Sequence, residues 1–489
     1  MWKRAFAAVA VLLCLAGIGA AQDASSVVSD VARNIGAAGL NSIQYSGTGS
    51  IFPYGQSYLP GGSYPRFNLN SYSQQMDYQN GAFREENVRT YLNPPERGGS
   101  AVFVGELRQV ALLSGNYAWN LNAAGAPVPA VADAPLRRLQ IALTPHGWVK
   151  AAMAARPAMK TSSLNGKPVR VISFTADGKY TVNGYVNAQN LLEKTETWIA
   201  DPVLGDVLVE ASYSDYRDFS GVKFPGKIVQ KQGGFPILDL TVNEVQPNAA
   251  VNLEVPQGVR DFVPPPMRVE SQKVAEGIWL LGGFSHASAL VEFKDYVAVL
   301  DAPFSEERSL AVMAEVKKLV PSKPIRYLVN THHHFDHTGG LRTYVAEGVT
   351  IITNQINKPY YEKNFRAPHT LAPDRLSQNP KAAKIITVTD RYVMTDGVRT
   401  VELHLLRDNP HNPGMLFAYM PKEKLLYQAD SFTPPRPTAM PPAVNSVNTR
   451  NLNLQANIER LHLDVEQILG AHGGILQIGE FRKAIAKGD

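Results

Sequence analysis

The chain has 489 residues, two to three times the ~100–200 of a single domain, so more than one folded unit is expected. Hydrophobic residues at 44% and charged residues at 19% exclude a disordered or collagen-like chain. The formal charge of +5, from 48 basic and 43 acidic residues, is too mild for a nucleic-acid binder that works by charge.

Residues 1–21 read as a signal peptide: Lys3 and Arg4 precede an uncharged apolar run from Ala5 to Gly19, and Gly19-Ala20-Ala21 offers a small-residue cleavage site. The run is short for the ~20 residues that span a bilayer, and no later segment reaches ~18 consecutive apolar residues. The expectation is export to the periplasm or beyond, with no stable membrane span after cleavage. Cys14 lies inside this leader, so a mature chain has no thiol, and any metal must be held by imidazole and oxygen.

Residues 22–250 read as a β-rich domain, α+β with an antiparallel sheet. Val/Ile/Thr/Tyr-rich runs at 169–175, 179–186, 194–200, 205–213 and 222–231 are punctuated by turns, of which Asp177-Gly178 and Ser220-Gly221 suit hairpins. Helical periodicity covers 25–38, with Val27, Val28, Val31 and Ile35 on one face, and 134–155. His146 is the only histidine here, and no catalytic constellation is visible. The Tyr-rich stretch 45–78 suits aromatic packing of a sheet; an apolar groove is the alternative reading.

Residues 251–270, with Pro256 and Pro264-Pro265-Pro266, read as a Pro-rich linker. Residues 271–489 alternate strands and helices, an α/β layer arrangement. Ser305 can cap a helix that carries Glu306 and Glu307 in its first turn, and Pro321 ends it. An apolar strand at 325–329 then leads into the chemistry.

That segment is Thr331-His332-His333-His334-Phe335-Asp336-His337-Thr338-Gly339-Gly340. Four histidines and an aspartate within six residues, between a strand and a helix, are too many imidazoles for ordinary packing. A loop at a strand's carboxyl end is also where α/β sheets place their sites. The segment resembles the H-x-H-x-D-H signature of the metallo-β-lactamase-fold hydrolases, as His332-x-His334-x-Asp336-His337. Asp301 at the end of Val299-Leu300-Asp301, His411 in Asn409-Pro410-His411-Asn412, Asp430 after Tyr427-Gln428-Ala429, and His472 in Ala471-His472-Gly473 follow the family's order. The resemblance covers about 270–489 and implies an αβ/βα sandwich.

The resemblance further implies that His332, His334 and His411 hold one metal ion. Asp336, His337 and His472 hold a second, and Asp430 bridges them. Seven ligand groups exceed one tetrahedral site and suit two ions. Two divalent ions, zinc first with iron or manganese as alternatives, are expected. Asp301 is expected to accept a hydrogen bond from a ligand imidazole. The implied reaction is hydrolysis of a small-molecule carbonyl substrate (ester, lactone, thioester or amide) by a metal-bridging hydroxide, with Asp336 orienting that hydroxide and taking its proton.

An Asp at 430 resembles the glyoxalase and lactonase branches more than the true β-lactamases, many of which carry Cys there, so β-lactam hydrolysis is less favoured. Two alternatives are an envelope carrier protein with a dormant metal domain and a metal-dependent oxidoreductase on the same scaffold. His286, Tyr360 and Tyr361 are candidates to line the substrate cleft. The insertion 357–381, which carries His369, reads as a lid or a surface loop, and the Pro-rich run 434–442 as a further wall. His333 is expected to point away from the ions; His146, His404 and His462 read as structural.

Overall fold

The computed structural model describes residues 24–93, 95–99, 103, 105–433 and 449–486. The leader and the run 434–442 lie outside the described residues. No helix among those described is long and apolar enough to cross a membrane.

The N-terminal unit is one antiparallel sheet of thirteen strands among the described residues. Its first strand, Ser42–Ile51, is bonded to its last, Phe235–Pro247, at the middle of the sheet. From that pair the strands run outward in sequence order to Pro127–Pro129 on one side and in reverse sequence order to Ala158–Leu164 on the other. Two hairpin turns sit where the sequence suggests. Asp177 and Gly178 have φ 51° and 64°, and Ser220 and Gly221 have φ 55° and 84°. Positive φ at both central residues matches the right-handed twist of the flanking strands.

One face of the sheet is covered by a helix over 24–34, which buries Val27, Val28 and Val31, and by a helix that buries Trp148 and Val149. The helical stretch expected over 134–155 is two helices, Ala134–Leu143 and Pro145–Ala154, broken at an extended Thr144. Pro145 has no N–H to continue the first ladder and disfavours helical backbone in the residue before it. Tyr45 and Tyr72 are core residues packed on each other, Tyr45 also on Phe224, so these two aromatics fill the sheet rather than line a groove.

The segment read as a linker is only partly one. Leu253, Val255 and Val259 pack against Val110, Leu112 and Trp119 of the N-terminal sheet, with a helical turn at Gln257–Arg260. The continuously exposed run is 260–266. Apolar residues spaced along the chain found an apolar strip, which the prolines did not reveal.

The C-terminal unit holds two sheets face to face. Seven strands from Glu270–Ala275 to Lys384–Val388 form one, in sequence order. Six from Arg391–Thr395 to Ile475–Gln477 form the other, also in order. The strands Val297–Leu300, Ile325–Val329, Thr350–Asn354 and Lys384–Val388 are parallel, and the first is buried along its whole length. Apolar side chains of both inner faces, among them Leu300, Val329, Leu403 and Leu469, make the central core. Helices Glu306–Leu319, Leu341–Ala346 and Lys358–Phe365 cover the outer face of the first sheet. Helices Thr449–Arg460 and Ile478–Ala486 cover the second. The order is helix, sheet, sheet, helix. The loops that follow Leu300, Val329, Gln428 and Gly470 therefore open at one edge of the sandwich.

Candidate metal centre

Each candidate ligand is placed by a short element with a physical reason for its shape. His334 has extended backbone, φ −62° and ψ 147°, and a helical turn Phe335–Thr338 begins directly after it. Side chains alternate along extended chain, so His332 and His334 share one side and His333 takes the other. The helical turn then swings Asp336 and His337 back toward the first two histidines. His411 sits in a loop whose backbone is gathered by Asn409, its Oδ1 accepting from the N–H groups of His411 and Asn412. Asp430 follows Leu425–Gln428, where Gln428 Oε1 accepts from the N–H groups of Ser431 and Phe432 and holds the turn. His472 is tied through a bridge to His286, with Ala471 N donating to Gln428 O.

All seven residues come together. His332, His334, His411 and Asp430 form one group whose ligand atoms lie within 4.8 Å of one another; His286, Asp336, His337 and His472 form a second. Asp430 joins them. Its Oδ2 lies 2.9 Å from His411 Nε2 and 3.9 Å from His332 Nε2. Its Oδ1 lies 2.8 Å from His337 Nε2 and 3.0 Å from His472 Nε2. One carboxylate thus turns an oxygen to each group.

The donor atoms themselves decide whether the residues fit a metal. His332 Nε2, His334 Nδ1, His411 Nε2 and Asp430 Oδ1 are buried with no hydrogen-bond partner among the described residues. Native interiors rarely leave such atoms unpaired. Here the four belong to ligand candidates and crowd together, with His411 Nε2 2.9 Å from Asp430 Oδ2 and Asp430 Oδ1 2.8 Å from His337 Nε2, the geometry expected of ligand atoms that would share a cation. The described His/Asp groups are able to hold metal.

On His332 and His337 the opposite ring nitrogen is pinned. Thr331 Oγ1 donates to Asp301 Oδ2 at 2.9 Å, so its oxygen accepts from His332 Nδ1–H at 3.1 Å and leaves Nε2 bare. His337 Nδ1 donates to the same Asp301 oxygen at 3.2 Å. Thr331 N donates to Asp301 Oδ1, and the Tyr427 hydroxyl lies 3.3 Å from Oδ2. Asp301 therefore anchors two candidate ligand imidazoles, His337 directly and His332 through Thr331. Such contacts orient the ring and select its tautomer.

Burial and neighbouring imidazoles hold His332 and His334 far below the ordinary histidine value, and burial with the Arg450 charge pushes His411 down to about 4. All three are neutral, the state a metal requires. Burial works against the charge on His337, but Asp430 and Asp336 outweigh it and raise its pKa. Burial likewise opposes ionisation of Asp430, yet the imidazoles that face it, with a hydrogen bond from His337 among them, outweigh burial and hold its pKa well below the usual carboxylate value.

The remaining candidates fall differently. His333 is buried on the other side of the strand end: Nδ1 accepts from Asn412 Nδ2 at 2.8 Å, and Nε2 lies 3.2 Å from Ser57 Oγ. His286 Nε2 is 3.1 Å from Asp336 Oδ2 and its ring packs on His472, which puts it inside the second group rather than merely along the cleft. Tyr361 requires a correction. It is 1% exposed, packs in the core under the first sheet and hydrogen-bonds Asn330, so it does not line a cleft. The helix Lys358–Phe365 buries one face there, and Tyr361 lies on it. Tyr360, one residue before it, faces His333 and Gly61 instead. His369 belongs to neither group; it lies 3.9 Å from Asp374. Sequence reasoning missed Gln56 and Ser57 altogether. Gln56 Nε2 donates to Asp336 Oδ1 at 2.9 Å across 280 residues of chain, and no local pattern signals a contact of that range.

The sandwich and its edge site define a metal-binding αβ/βα domain. The Metallo-beta-lactamase superfamily profile matches residues 281–471, and the C-terminal unit is a metallo-β-lactamase-fold domain of that superfamily, preceded by a separate antiparallel sheet domain. A linear primary-alkylsulfatase from a Pseudomonas species is 33% identical over 76 residues, 15% of this chain and 11% of the relative. A second, from another Pseudomonas strain, is 28% identical over 103 residues, 21% of this chain and 18% of the relative. The chain thus spans less than a fifth of the length of these curated relatives. Among solved structures, a metallo-beta-lactamase from Pontibacter korlensis aligns with a TM-score of 0.35 at 16% identity, covering 45% of this chain and 98% of its own.

Proposed function

We propose that this protein is an exported hydrolase that uses two divalent metal ions, zinc first among them, to cleave an ester-type carbonyl bond in a small molecule. The observation that carries the reading is the pair of His/Asp groups joined by Asp430, with unpaired buried donor atoms facing inward. His332, His334 and His411 would hold one ion, and Asp336, His337 and His472 the other, with Asp430 between. Bound there, the ions would supply Lewis-acid polarisation and an acidified water at neutral pH.

The chain's own residues do the rest. Side chains of His472 and Asp336 are 23% and 26% exposed, whereas His332 and His411 are sealed, so substrate arrives over the second group. Asp336 keeps Oδ1 on the Gln56 amide and leaves Oδ2, beside His286, to receive the proton of the attacking water. Asp301 holds His332 and His337 in the tautomers that bind metal. Export is supported by the charged-then-apolar leader of residues 1–21. A carrier role is disfavoured because the helices around Val31 and Trp148 already fill one face of the N-terminal sheet.

A second substrate reading, a sulfate ester, is favoured by Arg450. This buried guanidinium donates to the carbonyls of Gly98 and Gly99, and its charge reaches His411 and Asp430. The alkylsulfatase matches point the same way. The test is a panel of chromogenic esters, lactones, thioesters, β-lactams and alkyl sulfates, run with metal analysis. Expected are about two ions per chain, given the ligand count, and turnover of an ester-type substrate that collapses in Asp336→Ala and His334→Ala. Turnover that survives both substitutions would overturn the reading.

A further inference from the structure

We infer that the N-terminal unit is a structural part of the metal centre: a loop between its first two strands positions two of the candidate ligands. The inference rests on the dinuclear reading and extends it to residues 53–58.

Three contacts carry it. The carbonyl of Ser57 accepts from His334 Nε2 at 2.8 Å. A carbonyl can only accept, so the proton must sit on Nε2 and the lone pair on Nδ1. His334 Nδ1 is the very atom that is buried without a partner among the described residues. Gln56 Nε2 donates to Asp336 Oδ1 at 2.9 Å, which fixes that oxygen and leaves Oδ2 facing the second group, 3.1 Å from His286 Nε2. Ser57 Oγ meets His333 Nε2 at 3.2 Å and fastens the strand end from its other side.

The loop is built to reach this far. Gly55 has φ 79°, and a Cβ there would lie 2.5 Å from the Phe335 ring. Only glycine lets the backbone come so close. Tyr54 packs edge-on against Phe335 at 5.1 Å, and its hydroxyl donates to Asp201 at 2.9 Å, anchoring the loop in its own unit. Gly99 N donates to Gln56 O and Gly98 N to Pro410 O, so a second N-terminal segment braces the loop against the His411 turn. Gln56 and Ser57 are 9% and 4% exposed. They are positioning residues: each acts on the centre through His334 or Asp336.

The experiment uses the full chain. Zinc affinity is measured by competition with a chromogenic chelator, and the Co2+-substituted protein's visible spectrum reports the ligand field. In Gln56→Leu and in Gly55→Val, zinc affinity should fall about 10–100-fold, the usual effect of losing a contact behind a ligand. The cobalt bands should shift in both, while Leu59→Ser on the same loop should change neither readout. Gln56→Leu keeps the test intact should Gly55→Val fail to fold. A wild-type chain that binds two ions, with unchanged affinity and spectrum in both variants, would overturn this inference and leave the metal reading standing. A wild-type chain that binds no zinc would overturn both.

Discussion

Asp301 is fully buried and holds a left-handed backbone, φ 61°, a conformation that costs a non-glycine residue about 1–3 kcal/mol. The surroundings explain why it persists. Its carboxylate gathers the N–H and hydroxyl of Thr331, the Nδ1–H of His337 and the hydroxyl of Tyr427. An amide in its place would keep the shape but turn a donor toward groups that themselves donate. Asp301→Asn is therefore expected to lower zinc affinity about 10–100-fold, read by chelator competition. The motif residues were legible in sequence because imidazoles so concentrated have few other uses. Asp301 by local pattern alone is a strand-end aspartate as suited to a turn; only the family resemblance led to the expectation that it accepts from a ligand imidazole, and the atoms it touches, His337 Nδ1 among them, separate the two readings. Tyr361 was misplaced because periodicity in a short, proline-broken segment does not say which of two adjacent tyrosines faces the core.

At the scale of elements, the helix Pro145–Ala154 gives a pH signature to the N-terminal unit. His146 is buried, stacks on Phe224 and pairs one ring nitrogen with Ile35 O; burial pushes its pKa down to about 4. The folded state binds this proton more weakly than the unfolded chain does, where the value is near 6.5. Its contribution is thus fully present above pH 6.5 and is lost as pH falls toward about 4. Denaturant titrations across that window should show wild-type stability declining more steeply than His146→Gln. The excess should reach up to about 3 kcal/mol. The alternating strands and their hairpin turns were readable because period-two patterning and Asp-Gly or Ser-Gly pairs are local signals. The break at Pro145 was readable too, yet the apolar periodicity on either side masked it.

Across the whole molecule, the two units interlock rather than hang on a tether. Asp206 of the N-terminal sheet accepts from the N–H groups of Thr370 and Leu371 and from the Thr370 hydroxyl, and its own N–H donates to Pro368 O. The loop 53–58 and Gly98 make further contacts beside the site. Metal that binds only the folded protein stabilises it by mass action, about 4 kcal/mol at a thousand times its dissociation constant. Scanning calorimetry should therefore show chelation lowering the unfolding temperature. Zinc should restore it in wild type and much less in His334→Ala.

Local pattern and composition determined the α/β class, the sheet-rich first unit and the identity of the clustered imidazoles, since each depends on residues near one another in the chain. Tertiary structure alone decided which nitrogen of His332 and of His334 is left bare, that His286 joins the second group, and that a loop nearly three hundred residues upstream reaches the candidate ligands. Those facts depend on contacts made only when distant segments pack, and nothing in a linear order of side chains records them.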